Sequence, residues 1–242
     1  MAINIGTSGW SYDHWQGILY PHDAPVRERL GFYVRQFQTV ELNSSYYHWP
    51  RDQTFVRWHR EVPEDFLMTV KAPRGLTHGA RLYRPEKWIE RIGSALEHLG
   101  HKRGVLLVQL PPQFARDDAR LDYFLRRLPF GLRVAMEFRH WSWHSEDIFR
   151  LLEERGAAYC VMSGAQLPCV LRATASFVYL RLHGPDAFNL YAGSYTDADL
   201  MWWAHRVREW SETGRDVFVY FNNDGGGNAV RNAATLRGML GL

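Results

Sequence analysis

Several features that define other protein classes are scarce in this 242-residue sequence. Only two cysteines, Cys160 and Cys169, are present, and they have neither metal-site spacing nor the density of a disulfide scaffold. No stretch approaches the roughly 20 apolar residues of a membrane span. The N-terminal MAINIGTSGW lacks the basic and apolar regions of a signal peptide. These absences predict a cytoplasmic protein with reduced thiols and no membrane partner.

The chain also has little net charge. A formal charge of +3 is compatible with an anionic ligand, but it does not provide the concentrated basic face that is typical of nucleic-acid-binding proteins. With 46% hydrophobic and 23% charged residues, the composition is that of a folded protein rather than a disordered one. Aromatic residues are the one excess, at 14% with 10 tryptophans. Several of them follow the predicted strands, at positions where they are not needed to fill a core.

Short apolar runs typical of strands recur along the whole chain. They cover residues 3–8, 39–44, 66–72, 104–110, 133–139, 157–163, 177–183 and 216–222. Apolar residues at helical spacing lie between them, at 52–62, 86–100, 118–128 and 145–156. About eight β-then-α units in this length predict an α/β fold, a single TIM-type (β/α)8 barrel over residues 1–242. A doubly wound open sheet is the alternative.

One unit of the predicted barrel is irregular. Residues 164–175, GAQLPCVLRATA, are too few and too interrupted by proline to form a standard helix. We therefore expect the barrel to depart from regularity around the sixth βα unit. No linker, repeat or low-complexity segment divides the chain, which favours one domain.

Polar residues collect at the carboxyl ends of the predicted strands. In the second strand Val40 and Leu42 alternate with Glu41 and Asn43, so one face is apolar and the other polar. The same alternation in the other strands completes an inward-facing set of Glu41, Asn43, Lys71, Glu137, Arg139, Arg181, His183 and Asn222. Active sites of this fold are built at the carboxyl ends of strands. The set therefore predicts a ligand site there.

Three members of this set are predicted to be catalytic: Glu41, Glu137 and His183. Two carboxylates can act as acid and base when their neighbours separate their pKa values, and a histidine can shuttle a proton. A structural interpretation stands beside this one, because buried charges are usually paired. Glu41 with Lys71, and Glu137 with Arg139 or Arg181, could be internal ion pairs that only fix the register.

The remaining strand-end residues are predicted to bind the substrate. Cationic side chains would neutralise an anion and amides would orient it; these residues are Lys71, Arg74, Arg139, Arg181, Asn43 and Asn222. Aromatic residues that follow strands one, two and five, among them Trp10, Tyr46 and Trp141, are predicted to stack on a sugar or a base. The alternative is that these rings pack together as a lid.

A glycine-rich stretch, NNDGGGNAVRNA at 222–233, follows the last strand and opens a helix. Backbone N–H groups of Gly225, Gly226 and Gly227 are predicted to bind a phosphate, as the loops after the last two strands often do in this fold. A flexible turn is the alternative. No cofactor is predicted. A divalent metal is the less favoured alternative, because two glutamates share the strand ends with three cations.

The sequence resembles the YecE-like family, called domain of unknown function 72. The pieces that carry the resemblance are IGTSGWSYDHWQGILYP, FQTVELNSSYYHWP, FLMTVKAPRGLTH, LLVQLPPQF, VAMEFRHWSW, VYLRLHGP and VYFNND. They span nearly the whole chain in order. The resemblance implies a TIM-type barrel and no established reaction. That barrel is similar to metal-dependent phosphodiester-cleaving barrels, but this sequence lacks the His- and carboxylate-rich set that such enzymes need.

These observations predict a hydrolase-like enzyme that acts on a polar anionic small molecule, such as a sugar phosphate or a nucleotide. Two alternatives stay open. One is a protein that binds or cleaves nucleic acid, with rim arginines holding phosphates and tryptophans stacking bases. The other is a non-catalytic metabolite-binding module. No feature of the sequence favours one oligomeric state.

Overall fold

A computed structural model describes all residues, 1–242. Eight strands alternate with helices along the chain, except between the sixth and seventh strands. The strands β1 to β8 are Ile3–Thr7, Thr39–Leu42, Leu67–Lys71, Arg103–Leu110, Val134–Phe138, Ala158–Ser163, Phe177–Leu182 and Asp216–Phe221. The helices α1 to α7 are Arg29–Tyr33, Asp52–Glu61, Glu86–Glu97, Asp118–Arg126, Glu146–Arg155, Asp197–Glu212 and Asn228–Leu240. All eight predicted strands are confirmed.

The strands form one parallel sheet in the order β1-β8-β7-β6-β5-β4-β3-β2. A single parallel bridge between Ser8 and Glu41 links the end of β1 to β2, so the order closes on itself. This is the α/β TIM-type barrel that the sequence predicts. No helix lies between β6 and β7, which confirms the expected irregularity of the sixth unit.

By their internal packing the residues form two compact units. The first contains Met1–Glu41, Val161–Cys169 and Phe177–Leu242, and the second contains Leu42–Cys160 and Val170–Ser176. The prediction of one domain over the whole chain stays a prediction. None of the helices is both long and apolar enough to cross a membrane.

The first unit is built on a close approach at Gly6. A side-chain Cβ at this position would lie 2.2 Å from the carbonyl oxygen of Thr39, so only glycine fits. Tyr33, which is buried, donates its hydroxyl hydrogen to the same carbonyl at 3.0 Å and accepts from the backbone N–H of Thr7 at 3.0 Å. These contacts hold β1 beside the start of β2.

The second unit is held at its outer layer by a buried lysine. Lys102 lies just before β4, and its Nζ donates to the carbonyl oxygens of His59 and Val62 at 2.8 and 2.9 Å. It therefore satisfies carbonyls at the end of α2 that have no partner within the helix. Asp117 caps α4, because its carboxylate accepts from the backbone N–H of Arg120 at 3.0 Å.

Candidate functional site

Three residues of the first unit donate hydrogen bonds to the carboxylate of Glu41. Arg181 donates from Nη2 to Oε1 at 2.7 Å and from Nε to Oε2 at 2.9 Å. The hydroxyl of Tyr179 donates to Oε2 at 2.6 Å, and that of Ser8 donates to Oε1. A carboxylate offers about four lone-pair sites. Glu41 therefore has a complete set of donors, and we call Ser8, Glu41, Tyr179, Arg181 and His183 the Glu41 cluster.

His183 completes this cluster as a neutral imidazole. Its Nε2 lies 3.1 Å from Nη1 of Arg181, and its Nδ1 lies 3.1 Å from the carbonyl oxygen of the same residue. A guanidinium only donates and a carbonyl only accepts. The hydrogen is therefore on Nδ1, and the Nε2 lone pair faces Arg181. Both nitrogens are used, so His183 orients Arg181; the catalytic roles predicted for Glu41 and His183 stay predictions.

In the second unit, Glu137 on β5 is wholly buried. Its Oε1 accepts from Nε2 of Gln109 at 2.7 Å and from Nε of Arg139. Its Oε2 lies 4.0 Å from Sγ of Cys160. We call these four residues the Glu137 cluster. The structure thus shows the ion pair between Glu137 and Arg139 that the structural interpretation of the sequence offered as one alternative.

Lys71 ends β3 and packs on an aromatic ring. Its Nζ lies 4.5 Å from the centre of the Tyr46 ring, which is a cation–π contact at a largely buried position. The edge of the same ring meets the imidazole of His78, with centroids 5.1 Å apart. Tyr46 therefore contacts both the cation at the end of β3 and a histidine that follows this strand.

His78 lies in a π-helical turn, Gly75–Gly79, immediately after β3. Turns of this kind are rare and often mark functional sites. Burial, then the positive charges of Lys71, Arg74 and Arg139, lower the pKa of His78 below its usual value, and the charge of Glu137 opposes them. Three cations and one carboxylate therefore act on one half-buried imidazole. We call these five residues the His78 site.

The segment after this turn has an unusual backbone. Arg81, Leu82 and Arg84 have φ values of 48°, 63° and 45°, in the left-handed region that costs a residue with a Cβ roughly 1–2 kcal/mol. Both arginines are exposed. The guanidinium of Arg84 lies 5.3 Å from the centre of the Tyr83 ring. The rim of the second unit is therefore rich in cations.

The aromatic residues predicted to stack on a ligand differ in exposure. Trp141 is 80% exposed and stacks on His140, with ring centroids 5.7 Å apart. Tyr47, which also follows the second strand, is 68% exposed and packs edge-on against Tyr46. Trp10 is half-buried, and its carbonyl accepts from the hydroxyl of Tyr20. Trp141 and Tyr47 offer the more accessible rings.

The predicted amides are both half-buried. Asn43 begins the turn after β2, and its Oδ1 is buried without a hydrogen-bond partner. Asn222 directly follows β8, where its backbone N–H donates to the carbonyl of Leu182 at 2.8 Å. Their predicted roles in orienting a substrate stay predictions.

Gly225–Gly227 form a tight turn that opens α7. Gly226 and Gly227 have φ values of 65° and 76°, which explains the need for glycine. The preceding carboxylate, Asp224, accepts from Nε1 of Trp15 at 2.6 Å and lies 2.8 Å from Nε2 of His14. This negative charge stands next to the proposed anion position, and phosphate binding at the glycines stays a prediction.

Two open grooves lie on the helical surface of the second unit. One of about 450 Å³ is lined by α4 and α5, and one of about 610 Å³ is lined by α3 and α4. Their charges pair with one another: Asp122 meets Arg126 at 2.8 Å and Arg155 at 2.7 Å. Neither groove contains a residue of the His78 site. In neither unit do three or more His, Cys, Asp or Glu side chains form a group that could hold a metal ion.

The predicted set of site residues did not include five members of these clusters: Ser8, His78, Gln109, Cys160 and Tyr179. Gln109 and Tyr179 lie on strands whose alternation was visible, but a neutral polar group in a strand gives a weak signal. His78 belongs to the stretch PRGLTHG, in which no pattern indicates a π-helical turn. The one available signal was the pair of glycines that bracket the histidine.

Comparison with known proteins gives one consistent family. The profile described as "Protein of unknown function DUF72" matches residues 4–242. UPF0759 protein YunF of Bacillus subtilis is 29% identical over 99% of this chain and 95% of its own length. UPF0759 protein YecE of Escherichia coli O157:H7 is 28% identical over 66% of this chain and 58% of its own length.

Solved structures agree with the sequence matches. The crystal structure of a DUF72 family protein from Thermotoga maritima MSB8 is 28% identical, covers 100% of both chains and has a TM-score of 0.89. A DUF72 family protein from Enterococcus faecalis V583, 22% identical, covers 99% of this chain and 96% of its own and has a TM-score of 0.87. The second likeness shows the fold alone.

Proposed function

The chain belongs to the DUF72 family, which is described only as of unknown function, and we propose that it is a hydrolase-like enzyme for an anionic small molecule. The substrate class is a sugar phosphate or a nucleotide. The proposed binding site is the His78 site in the second unit. The observation that carries the proposal is the group of charged side chains that act on His78, namely Lys71, Arg74, Arg139 and Glu137.

Cationic side chains grouped at one site suit an anionic ligand. Lys71 is only 7% exposed, and Arg139 donates to Glu137. Such side chains can form charge-assisted hydrogen bonds with a phosphate or carboxylate group. Arg74 is exposed, so it can meet an incoming ligand.

The rest of the ligand would be held by the rim. Tyr47 and Trp141 follow β2 and β5 in the same unit and present exposed ring faces. A sugar or a nucleobase can stack on such faces. Gln109 donates a hydrogen bond to the carboxylate of Glu137 and so orients it. This carboxylate accepts from Arg139, which holds the guanidinium in one orientation. Hydrolysis is the proposed reaction class because, besides water, it needs only a group that transfers a proton and a group that stabilises charge.

A thermal-shift screen tests this proposal. Sugar phosphates, nucleotides, divalent metals and short oligonucleotides are added in turn to the wild type, to Arg74→Ala and to the control Arg91→Ala. Arg91 is an exposed arginine of α3 and is not among the charges that act on His78. A ligand at 100 times its dissociation constant adds about 2.7 kcal/mol, which raises Tm by roughly 2–4 °C per kcal/mol.

We expect a phosphate-bearing small molecule to stabilise the wild type and Arg91→Ala, and to stabilise Arg74→Ala much less. Equal stabilisation of all three proteins would place the ligand elsewhere and overturn the proposal. Stabilisation by oligonucleotides alone, with steep salt dependence, would instead support a nucleic-acid-binding protein.

A further inference from the structure

Thr77 fixes the tautomer of the His78 imidazole. The Thr77 hydroxyl donates its hydrogen to the carbonyl oxygen of Pro73 at 3.2 Å, since a carbonyl can only accept. The same Oγ1 lies 3.0 Å from Nδ1 of His78, and with its hydrogen already donated it accepts there. Neutral His78 therefore carries its hydrogen on Nδ1. The lone pair is on Nε2, which Thr77 does not use.

The surroundings of His78 favour its neutral form before a ligand binds. The charged groups that act on it come from two strands and the segments that follow them. Lys71 ends β3 and Arg74 begins the turn, whereas Glu137 lies on β5 and Arg139 directly follows this strand. Burial and the three cations lower the pKa of His78, against the smaller opposing effect of Glu137. The edge-on contact with the Tyr46 ring adds no full charge.

We propose that His78 is the proton-transfer residue of the site and that the anionic ligand itself, on binding, loads it with a proton at Nε2. This inference rests on the proposed function, because it uses the same bound anion. An anion held by Lys71, Arg74 and Arg139 cancels the positive field that disfavours the imidazolium ion. The coupling is reciprocal: the factor by which the ligand tightens proton binding is the factor by which the proton tightens ligand binding.

The protonated imidazole can then act as the general acid in the hydrolysis of a phosphate ester. The proton moves from Nε2 to the leaving alcohol oxygen as the P–O bond breaks and its electron pair stays on that oxygen. Water forms the new P–O bond, and its proton returns to Nε2. The sum is ester plus water giving alcohol plus phosphate, with His78 again protonated. When the phosphate leaves, the proton on Nε2 passes to solvent water and His78 is neutral again.

The other predicted acid–base residues have less freedom for this task. Glu41 accepts from Arg181, Tyr179 and Ser8, and His183 uses both nitrogens on Arg181. Glu137 already accepts two hydrogen bonds at Oε1. His78 has one nitrogen fixed by Thr77 and the other available for chemistry, which is the arrangement a proton donor needs.

NMR titration of the histidine ring protons tests the inference directly. The protein is titrated between pH 5 and 8 without and with saturating sulfate, an anion that does not itself titrate in this range. The signal missing in His78→Gln assigns His78. His144 is the internal control, because burial also lowers its pKa but none of the three cations acts on it.

We expect sulfate to raise the pKa of His78 and to leave that of His144 unchanged. A rise of one unit corresponds to sulfate binding about tenfold tighter to the protonated form, so sulfate affinity should rise by that factor as the pH falls in the wild type and not in His78→Gln. Sulfate that binds, is weakened by Arg74→Ala and leaves His78 unshifted overturns this inference alone. No binding of sulfate or of any phosphate compound overturns the proposed function as well.

Discussion

Arg181 donates to both carboxylate oxygens of Glu41, at 2.7 and 2.9 Å, and both side chains are completely buried. A buried ion pair is stable only when its geometry is good and its other polar atoms are satisfied. Both conditions hold here, because Tyr179 and Ser8 donate to the same carboxylate. The bridge between Ser8 and Glu41 also joins β1 to β2. The pair therefore lies where the strand order closes.

We expect Glu41→Gln to lower the free energy of unfolding by about 3–5 kcal/mol, because it leaves the guanidinium of Arg181 buried without a counter-charge. Urea unfolding followed by circular dichroism measures the change. The control is Glu209→Gln, which removes a surface ion pair with Arg206 and should cost about 0–1 kcal/mol. Equal unfolding midpoints for the two variants would contradict the structural role of Glu41.

Gly6→Ala should destabilise the protein by about 1–3 kcal/mol or more, the range for overpacking a core. The new methyl group would lie 2.2 Å from the carbonyl oxygen of Thr39, and a main-chain atom cannot move aside as a flexible side chain can. Gly31→Ala is the matched control. Gly31 lies in α1 with nothing within 4 Å of an added Cβ, so alanine there should stabilise the protein by about 0.4–1 kcal/mol. Thermal unfolding of both variants should give changes of opposite sign.

The sequence predicted the strands well because each one is a short apolar run with clear boundaries. It also predicted that polar residues end those strands, since alternation assigns Glu41 and Asn43 to one face and Val40 and Leu42 to the other. It could not predict that Glu41 binds Arg181. That pair joins residues 140 positions apart, and it depends on the register between strands rather than on any local pattern.

Local structure that is not marked by a repeating spacing of apolar residues could not be predicted from the sequence. His78 lies in a π-helical turn, and the hydrogen bonds that define such a turn leave no characteristic spacing of apolar residues. Its tautomer depends on a threonine hydroxyl that is already committed to Pro73. The cations that surround it were predicted individually, as Lys71, Arg74 and Arg139. Their convergence on one imidazole required the structure.

His144 should make the protein less stable as the pH falls. Burial lowers its pKa from the usual 6.5, its Nε2 is buried without a partner, and its Nδ1 bonds the hydroxyl of Tyr159 at 2.8 Å. Because the folded-state pKa lies below the unfolded one, the unfolded state binds the proton first. Stability is therefore full above pH 6.5 and is lost as the pH falls through the folded-state pKa.

Urea unfolding at a series of pH values between 5 and 8 measures this effect. His144→Gln should flatten the decline in unfolding free energy below pH 6.5, and the control His205→Gln removes an exposed histidine of α6. An identical pH profile for the wild type and His144→Gln would show that His144 does not contribute.

Trp141→Ala should affect ligand binding without affecting the stability of the fold. It is 80% exposed, so Trp141→Ala should change the free energy of unfolding by less than about 0.5 kcal/mol. If its face stacks on a nucleobase, the same change should weaken nucleotide binding by about 1–3 kcal/mol. A sugar phosphate without a base should be affected less.

Isothermal titration calorimetry with both ligand classes makes the comparison. Phe130→Ala is the matched control, because Phe130 is another exposed aromatic residue of the second unit and adjoins no residue of the His78 site in sequence. Equal losses in the two variants would exclude stacking on Trp141, whereas a loss confined to Trp141→Ala and to nucleotides would make a nucleotide the preferred ligand of this rim.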